Sequence, residues 1–278
     1  MTMPTTRPKL AHLCLLLALA SAGAAQAASL SLTTGSAGGS LFATAGVNGQ
    51  ADAISGSLVD TSGAGFVLAA GGGESSLALA PAGSLDHLWA ASTALDTSPA
   101  QTSFHASATS VRLADASGQF DGGVESLSLV LDAELLIQST GEAAGTPVRL
   151  DVQGTAESLF SSSGPALDVL PSFDLVLRDA QGAVLGSWQG LAPGASTGFS
   201  FSVFSQVGAT LHFSLSHASS LLADAAAIGA AGTGISLDST ALLNGSLSVS
   251  AVPEPETYAL FVAGLAALGL MQARRRAG

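Results

Sequence analysis

Cations and cysteines are the scarcest residues in this 278-residue chain. It carries 8 Lys+Arg against 20 Asp+Glu, a formal net charge of −12. Nucleic-acid affinity comes mainly from Lys and Arg neutralising phosphates, so this balance speaks against a nucleic-acid partner. The single cysteine, Cys14, rules out an intrachain disulfide scaffold and any Cys-based zinc site. One tyrosine and two tryptophans leave few platforms for stacking on sugar rings. No uncharged apolar run reaches the roughly 20 residues that a membrane-spanning helix needs. The sequence is read as having no nucleophile elbow, H-E-x-x-H zinc motif, EF-hand loop or nonapeptide repeat. It assigns no catalytic, cofactor or metal residue, and the reading is non-enzymatic.

What is present is concentrated at the two ends. Positions 1–27 read as a secretory signal peptide. Arg7 and Lys9 supply the cationic start, Leu13–Ala20 the apolar core, and Ala25-Gln26-Ala27 the small-x-small pattern for a cut after Ala27. Cys14 opens that apolar core, whereas a lipidation cysteine would close it, so the exported body is expected to be cysteine-free. At the other end, Pro253-Glu254-Pro255 interrupts regular structure, because proline fixes φ and lacks an N–H. Tyr258 through Met271 then runs uncharged and is expected to be helical. At 1.5 Å per residue it reaches about 21 Å, short of the roughly 30 Å hydrocarbon core. Arg274, Arg275 and Arg276 close it and favour the cytoplasmic side.

Proline-glutamate-proline, a short apolar helix and an arginine cluster, in that order, resemble the PEP-CTERM sorting signal of Gram-negative bacteria. The resemblance covers residues 252–278 and leaves the family of the body unrecognised. It implies export through the secretion translocon and transient anchoring in the inner membrane. It further implies recognition by an exosortase, a transpeptidase-like membrane enzyme, followed by a fate at the cell surface or outside the cell. The family's association with exopolysaccharide and biofilm matrix implies exopolysaccharide as a further partner.

The body, residues 28–251, has only Arg112, Arg149 and Arg178 as cations and no lysine. Of the 20 acidic residues all but Glu254 and Glu256 fall within it, a net of −15. Period-2 alternation dominates. Leu127, Leu129 and Leu131 alternate with Ser126, Ser128 and Val130. Comparable runs surround Val148–Val152, Phe173–Leu177, Phe199–Val203, Leu211–Leu215 and Leu247–Val249. Such alternation marks half-buried strands. Many short strands, Gly/Ser/Pro turns and no long amphipathic helix predict a mainly β domain. The expected architecture is an antiparallel β-sandwich, jelly-roll-like or immunoglobulin-like. A β-solenoid would need a fixed-period repeat, which is not found.

Two segments, Asp115–Gly118 and Asp179–Gly182, have the chemistry of type I turns closed by a glycine bulge, so each predicts a hairpin. The glycine-rich stretches 35–50 and 61–76 are expected to be long loops or weakly specified strands. Residues 218–235 are expected to carry one short helix. Asp132 and Glu134 share a strand face by spacing, which suits either a solvated strand edge or a glycosidase carboxylate pair. His212 and His217, five apart, should lie on opposite faces of one strand and share no metal. Asp121–Glu125 reads as an acidic glycine-rich turn rather than a calcium loop. These residues favour a secreted structural protein of the envelope or exopolymer matrix. The alternative is a lectin-like module binding glycan or cation.

Overall fold

The computed structural model describes residues 28–47, 49–78, 83–98, 101–116, 120–162, 168–169, 172–190, 196–223, 235–252, 262–266, 269 and 272. The strands in chain order are β1 (Ala28–Val47), β2 (Gln50–Ser57), β3 (Val59–Gly63), β4 (Phe66–Ala78), β5 (Gly83–Thr97), β6 (Thr102–Ala116) and β7 (Phe120–Ser139). They continue as β8 (Pro147–Ser162), β9 (Asp168–Val169), β10 (Ser172–Asp179), β11 (Val184–Gly190), β12 (Ser196–Gln206), β13 (Thr210–Ala223) and β14 (Ile235–Ala251).

They form two sheets whose described pairings are all antiparallel. Sheet A has the order β11-β10-β13-β7-β1-β2, with β9 beside β13. Sheet B has the order β12-β8-β14-β6-β5-β4-β3. The predicted sandwich is therefore the observed architecture. The inward positions are those the alternation picks out: Leu127, Leu129, Leu131, Val148, Leu150, Val152, Phe173, Leu175, Leu177, Leu211, Phe213 and Leu215 are all buried. Each such side chain stabilises the fold by roughly 1.5–3 kcal/mol when fully withdrawn from water.

Strand partners depart from the expectation at one predicted hairpin. Asp179–Gly182 does join a hairpin, β10 to β11. Gly182 takes φ +84° and its N–H donates to Asp179 O at 3.0 Å, while Asp179 Oδ1 accepts from the N–H groups of Gln181 and Ala183. The shift from Leu177↔Gly186 to Arg178↔Val184 is the bulge. Asp115–Gly118 does not join a hairpin. β6 lies in sheet B and β7 in sheet A, so the two strands are not partners; residues 117–119 between them lie outside the described residues. Turn residues specify that the chain reverses; they do not specify which sheet receives the next strand.

Of the two expectations for the glycine-rich stretches, strand is the one observed, with turn residues at 49 and 64–65. Gly71 and Gly73 lie in β4, and Gly35, Gly38 and Gly39 in β1. Glycine is needed where an aromatic ring takes the space. Trp89, 3% exposed, sits over Gly56 and Gly73; a Cβ on Gly73 would come within 2.7 Å of its Nε1. In sheet B one cross-strand row reads Phe199–Gly154–Gly245–Phe104. Two rings flank and cover two glycines, the arrangement that restores packing where glycine leaves a strand bare. Phe104 then meets Phe213 of sheet A at a centroid distance of 5.1 Å. Trp188 of β11 stacks on Phe199 of β12 at 4.4 Å, packing together the edge strands of the two sheets.

The expected turn at Asp121–Glu125 is part of β7; of the expected helix at 218–235, the first third is the end of β13 and Ile235 opens β14, while residues 224–234 lie outside the described residues. Residues 262–266 are helical, inside the expected C-terminal helix. Among the described residues no helix is long and apolar enough to cross a membrane. Signal-peptide residues Ala25 and Ala27, the motif residues Pro253, Glu254 and Pro255, and Arg274–Arg276 lie outside the described residues.

Ala28 opens β1 opposite Ser139, the last residue of β7. Ala251 ends β14 opposite Val148, at the start of β8. Residues 140–146 join β7 to β8, and backbone hydrogen bonds from Gly145 N–H to Val207 O and from Gly208 N–H to Ile137 O tie this end together. The body's first and last strands thus begin and finish at the same end of the sandwich.

Candidate functional site

The outward face of sheet A carries the densest group of chemically competent side chains among the described residues. Pairing between β1, β7, β13 and β10 lines up Thr34, Glu134, His212 and Arg178 across four strands, with Ser36, Asp132 and Ser214 in the adjacent row. Strands about 4.8 Å apart make that first row about 14 Å long. A bulge between Leu32 and Thr34 gives β1 an extra residue, so Thr33 and Thr34 both reach Glu134. Thr34 Oγ1 donates to Glu134 Oε2 at 3.0 Å, and Thr33 Oγ1 donates to the Glu134 carbonyl at 2.9 Å. His212 Nε2 lies 4.0 Å from Glu134 Oε1. Arg178 Nη1 donates to Gly182 O at 3.2 Å. These residues border an open groove of about 560 Å³.

The carboxylate pair read from the sequence, Asp132 and Glu134, is therefore present on one face. It lies open to solvent. Asp132 is exposed and Glu134 half-buried. Among the described residues no three His, Cys, Asp or Glu side chains are placed to share a metal ion. The exposed Glu134–His212 contact should contribute little. Glu134→Gln is expected to change unfolding free energy by less than about 0.5 kcal/mol. Urea denaturation checks this; a loss above about 1 kcal/mol would show that the row is structural.

His212 and His217 do fall on opposite faces. His212 is half-exposed on the outer face, and His217 is buried between the sheets. His87 is also buried on the inner face, while His105 is half-buried beside Ser92 Oγ at 3.4 Å; burial lowers the His105 pKa. One motif was missed in the sequence. Gly194-Ala195-Ser196-Thr197-Gly198 spells G-x-S-x-G. A nucleophile elbow needs a strand-to-helix turn at the serine. Ser196 instead opens edge strand β12, so the structural context is absent. Of the two tryptophans, Trp89 is buried and Trp188, half-buried, has one ring face stacked on Phe199.

The C-terminal site begins where the sheet stops. β14 is flanked by β6 and β8, and its Leu243, Leu247 and Val249 are buried. Val252 N–H donates to Pro147 O at 3.1 Å, the last ladder-like bond before Pro253. Pro253 has no N–H with which to continue it.

Residues 251–276 match the PEP-CTERM protein-sorting motif. The motif implies export, a membrane-anchoring sorting signal and recognition by an exosortase-type enzyme. Together with the sandwich it fits a non-enzymatic structural protein. No curated protein matches the chain. Among solved structures, that of infectious bursal disease virus strain Gx is 12% identical with a TM-score of 0.19, covering 83% of this chain and 65% of that one. The VP2 subviral particle of the same virus is 12% identical with a TM-score of 0.18, covering 83% of this chain and 68% of that one. These scores are too low to carry an argument.

Proposed function

We propose that this protein is a secreted, exosortase-processed structural component of the cell envelope or of the exopolysaccharide matrix. The observation that carries the reading is the PEP-CTERM motif at residues 251–276, placed directly after the last strand. Signal cleavage after Ala27 would leave Ala28 as the first residue, already buried and paired with Ser139. Removal of the tail would then leave a sandwich with both ends at one pole. The pairing of β14 with β8 supports a second cut beyond that strand. A processing enzyme needs extended, unpaired chain, and residues up to Val252 are engaged with β8. Peeling β14 away would expose Leu243, Leu247 and Val249, so the cut falls beyond Val252. The low-charge, serine-rich outer faces and the net charge of the body favour solubility over adhesion to polyanions.

Intact mass spectrometry of protein recovered from its own host, from cell surface and medium separately, tests this. The expected mass begins at Ala28 and ends beyond Val252 but before Arg274. A mass running to Gly278, confined to membranes, would overturn processing. A terminus before Val252 would overturn the role assigned to β14.

A second reading, a glycan-binding module, has one observation in its favour: the polar groove at Thr34, Glu134, His212 and Arg178. Calorimetry with neutral oligosaccharides tests it, and heat lost in Arg178→Ala would support it.

A further inference from the structure

Away from the end where the body's chain begins and finishes, the interior of the sandwich changes character. Leu129 and Leu131 of β7, and Phe213 and Leu215 of β13, give way to Glu125 and His217 on the same inner faces. Sheet B faces them with Ser110 of β6 and Ser158 of β8, both buried. Ser110 Oγ donates to Glu125 Oε2 at 2.5 Å. Between the sheets these groups, with Ser219 and Ser239, line a cavity of about 10 Å³.

His217 decides what that cavity can hold. Its Nδ1 lies 2.8 Å from Ser172 O. A carbonyl oxygen only accepts, so Nδ1 carries the proton and Nε2 presents a lone pair. Nε2 is fully buried and has no hydrogen-bond partner among the described residues. Burial holds the ring neutral at ordinary pH, with a pKa lowered to about 4. The neutral ring therefore calls for a small hydrogen-bond donor.

We propose that this inter-sheet cavity is a binding site for one internal water molecule, which donates a hydrogen bond to His217 Nε2. The volume selects the ligand. A single water needs about 10–15 Å³ of such space and two to four polar partners, and the serine hydroxyls and Glu125 surround the cavity as candidates. A sugar or hydrated ion is far too large. A bare metal ion lacks ligands, because no three His, Cys, Asp or Glu among the described residues come together. The water ties sheet A to sheet B in a layer where buried serines, Glu125 and His217 lie beside Leu127, which accounts for polar residues at core positions.

A crystal structure of the full chain, at a resolution that shows ordered water, tests the site. The expected result is a single density peak within about 3.2 Å of His217 Nε2. An unfilled cavity, or a serine hydroxyl rotated onto Nε2, would overturn it. Water relaxation dispersion in solution supplies a second readout. Wild type should show one more long-lived water than His217→Phe or Ser158→Ala, and equal counts in all three would count against the site.

Discussion

Gly245→Val is expected to cost more than about 3 kcal/mol, a large share of the 5–15 kcal/mol that holds a typical domain together. The residue lies in β14, paired with Gly154 of β8 and with Phe104 of β6. A Cβ there would come within 2.6 Å of Phe104 Cε2 and 2.9 Å of Gln153 O. The ring can give way only by leaving its contact with Phe213. The carbonyl cannot give way at all, because it belongs to the β8 ladder. Phe104→Ala alone should cost about 3–5 kcal/mol. The double variant should cost clearly less than the sum, because alanine vacates the space that valine needs. Gly38 supplies the contrast. A Cβ there meets nothing within 4 Å, so Gly38→Ala should be neutral or stabilising by about 0.5 kcal/mol. Chemical denaturation of the four variants beside wild type measures all of this. Additive losses would mean that Gly245 and Phe104 are not packed as a unit.

That row also shows where the sequence stops being legible. Alternation at Leu127–Leu131 or Phe173–Leu177 is local, and it identified strand, face and buried residue together. Glycine in a strand is legible only together with the ring that covers it. Phe104 is 141 positions from Gly245, and Trp89 comes from a different strand than Gly56 and Gly73. Read alone, such glycines look like loop. Sheet assignment was hidden for the same reason: the turn chemistry at Asp115–Gly118 is local, whereas the partners of β7 are β1 and β13. At the outer face, Asp132 and Glu134 were legible as neighbours by spacing. His212 was not, because register across two distant strands brings it to Glu134. Glu125 is the instructive miss. It continues the inward parity of Leu127 and Leu129 and is buried with them. Its charge and the preceding glycines suggested a turn, and parity was the better guide.

Acid should weaken the protein through His217, and His217→Phe should remove that part of the loss. Burial lowers the folded-state pKa to about 4 from 6.5, against a smaller opposing effect of the hydrogen bond with Ser172 O. Between those two values the unfolded chain binds a proton that the native chain refuses. Stability therefore falls as pH falls from about 6.5 towards 4, then levels for this group once both states are protonated. At 1.36 kcal/mol per pKa unit, the full loss is about 3 kcal/mol. Phenylalanine keeps the ring packing against Phe173, which lies 4.3 Å away, but abandons Ser172 O. The variant should therefore start about 1–2 kcal/mol less stable at pH 7. By pH 4 it should match or exceed wild type, since titrations of carboxylates remote from His217 are common to both and cancel in the difference. Urea unfolding at pH 7, 5.5 and 4 decides the matter. Parallel curves would mean that His217 takes up its proton in the native state without cost, and that the interior around Glu125 admits charge as readily as solvent does.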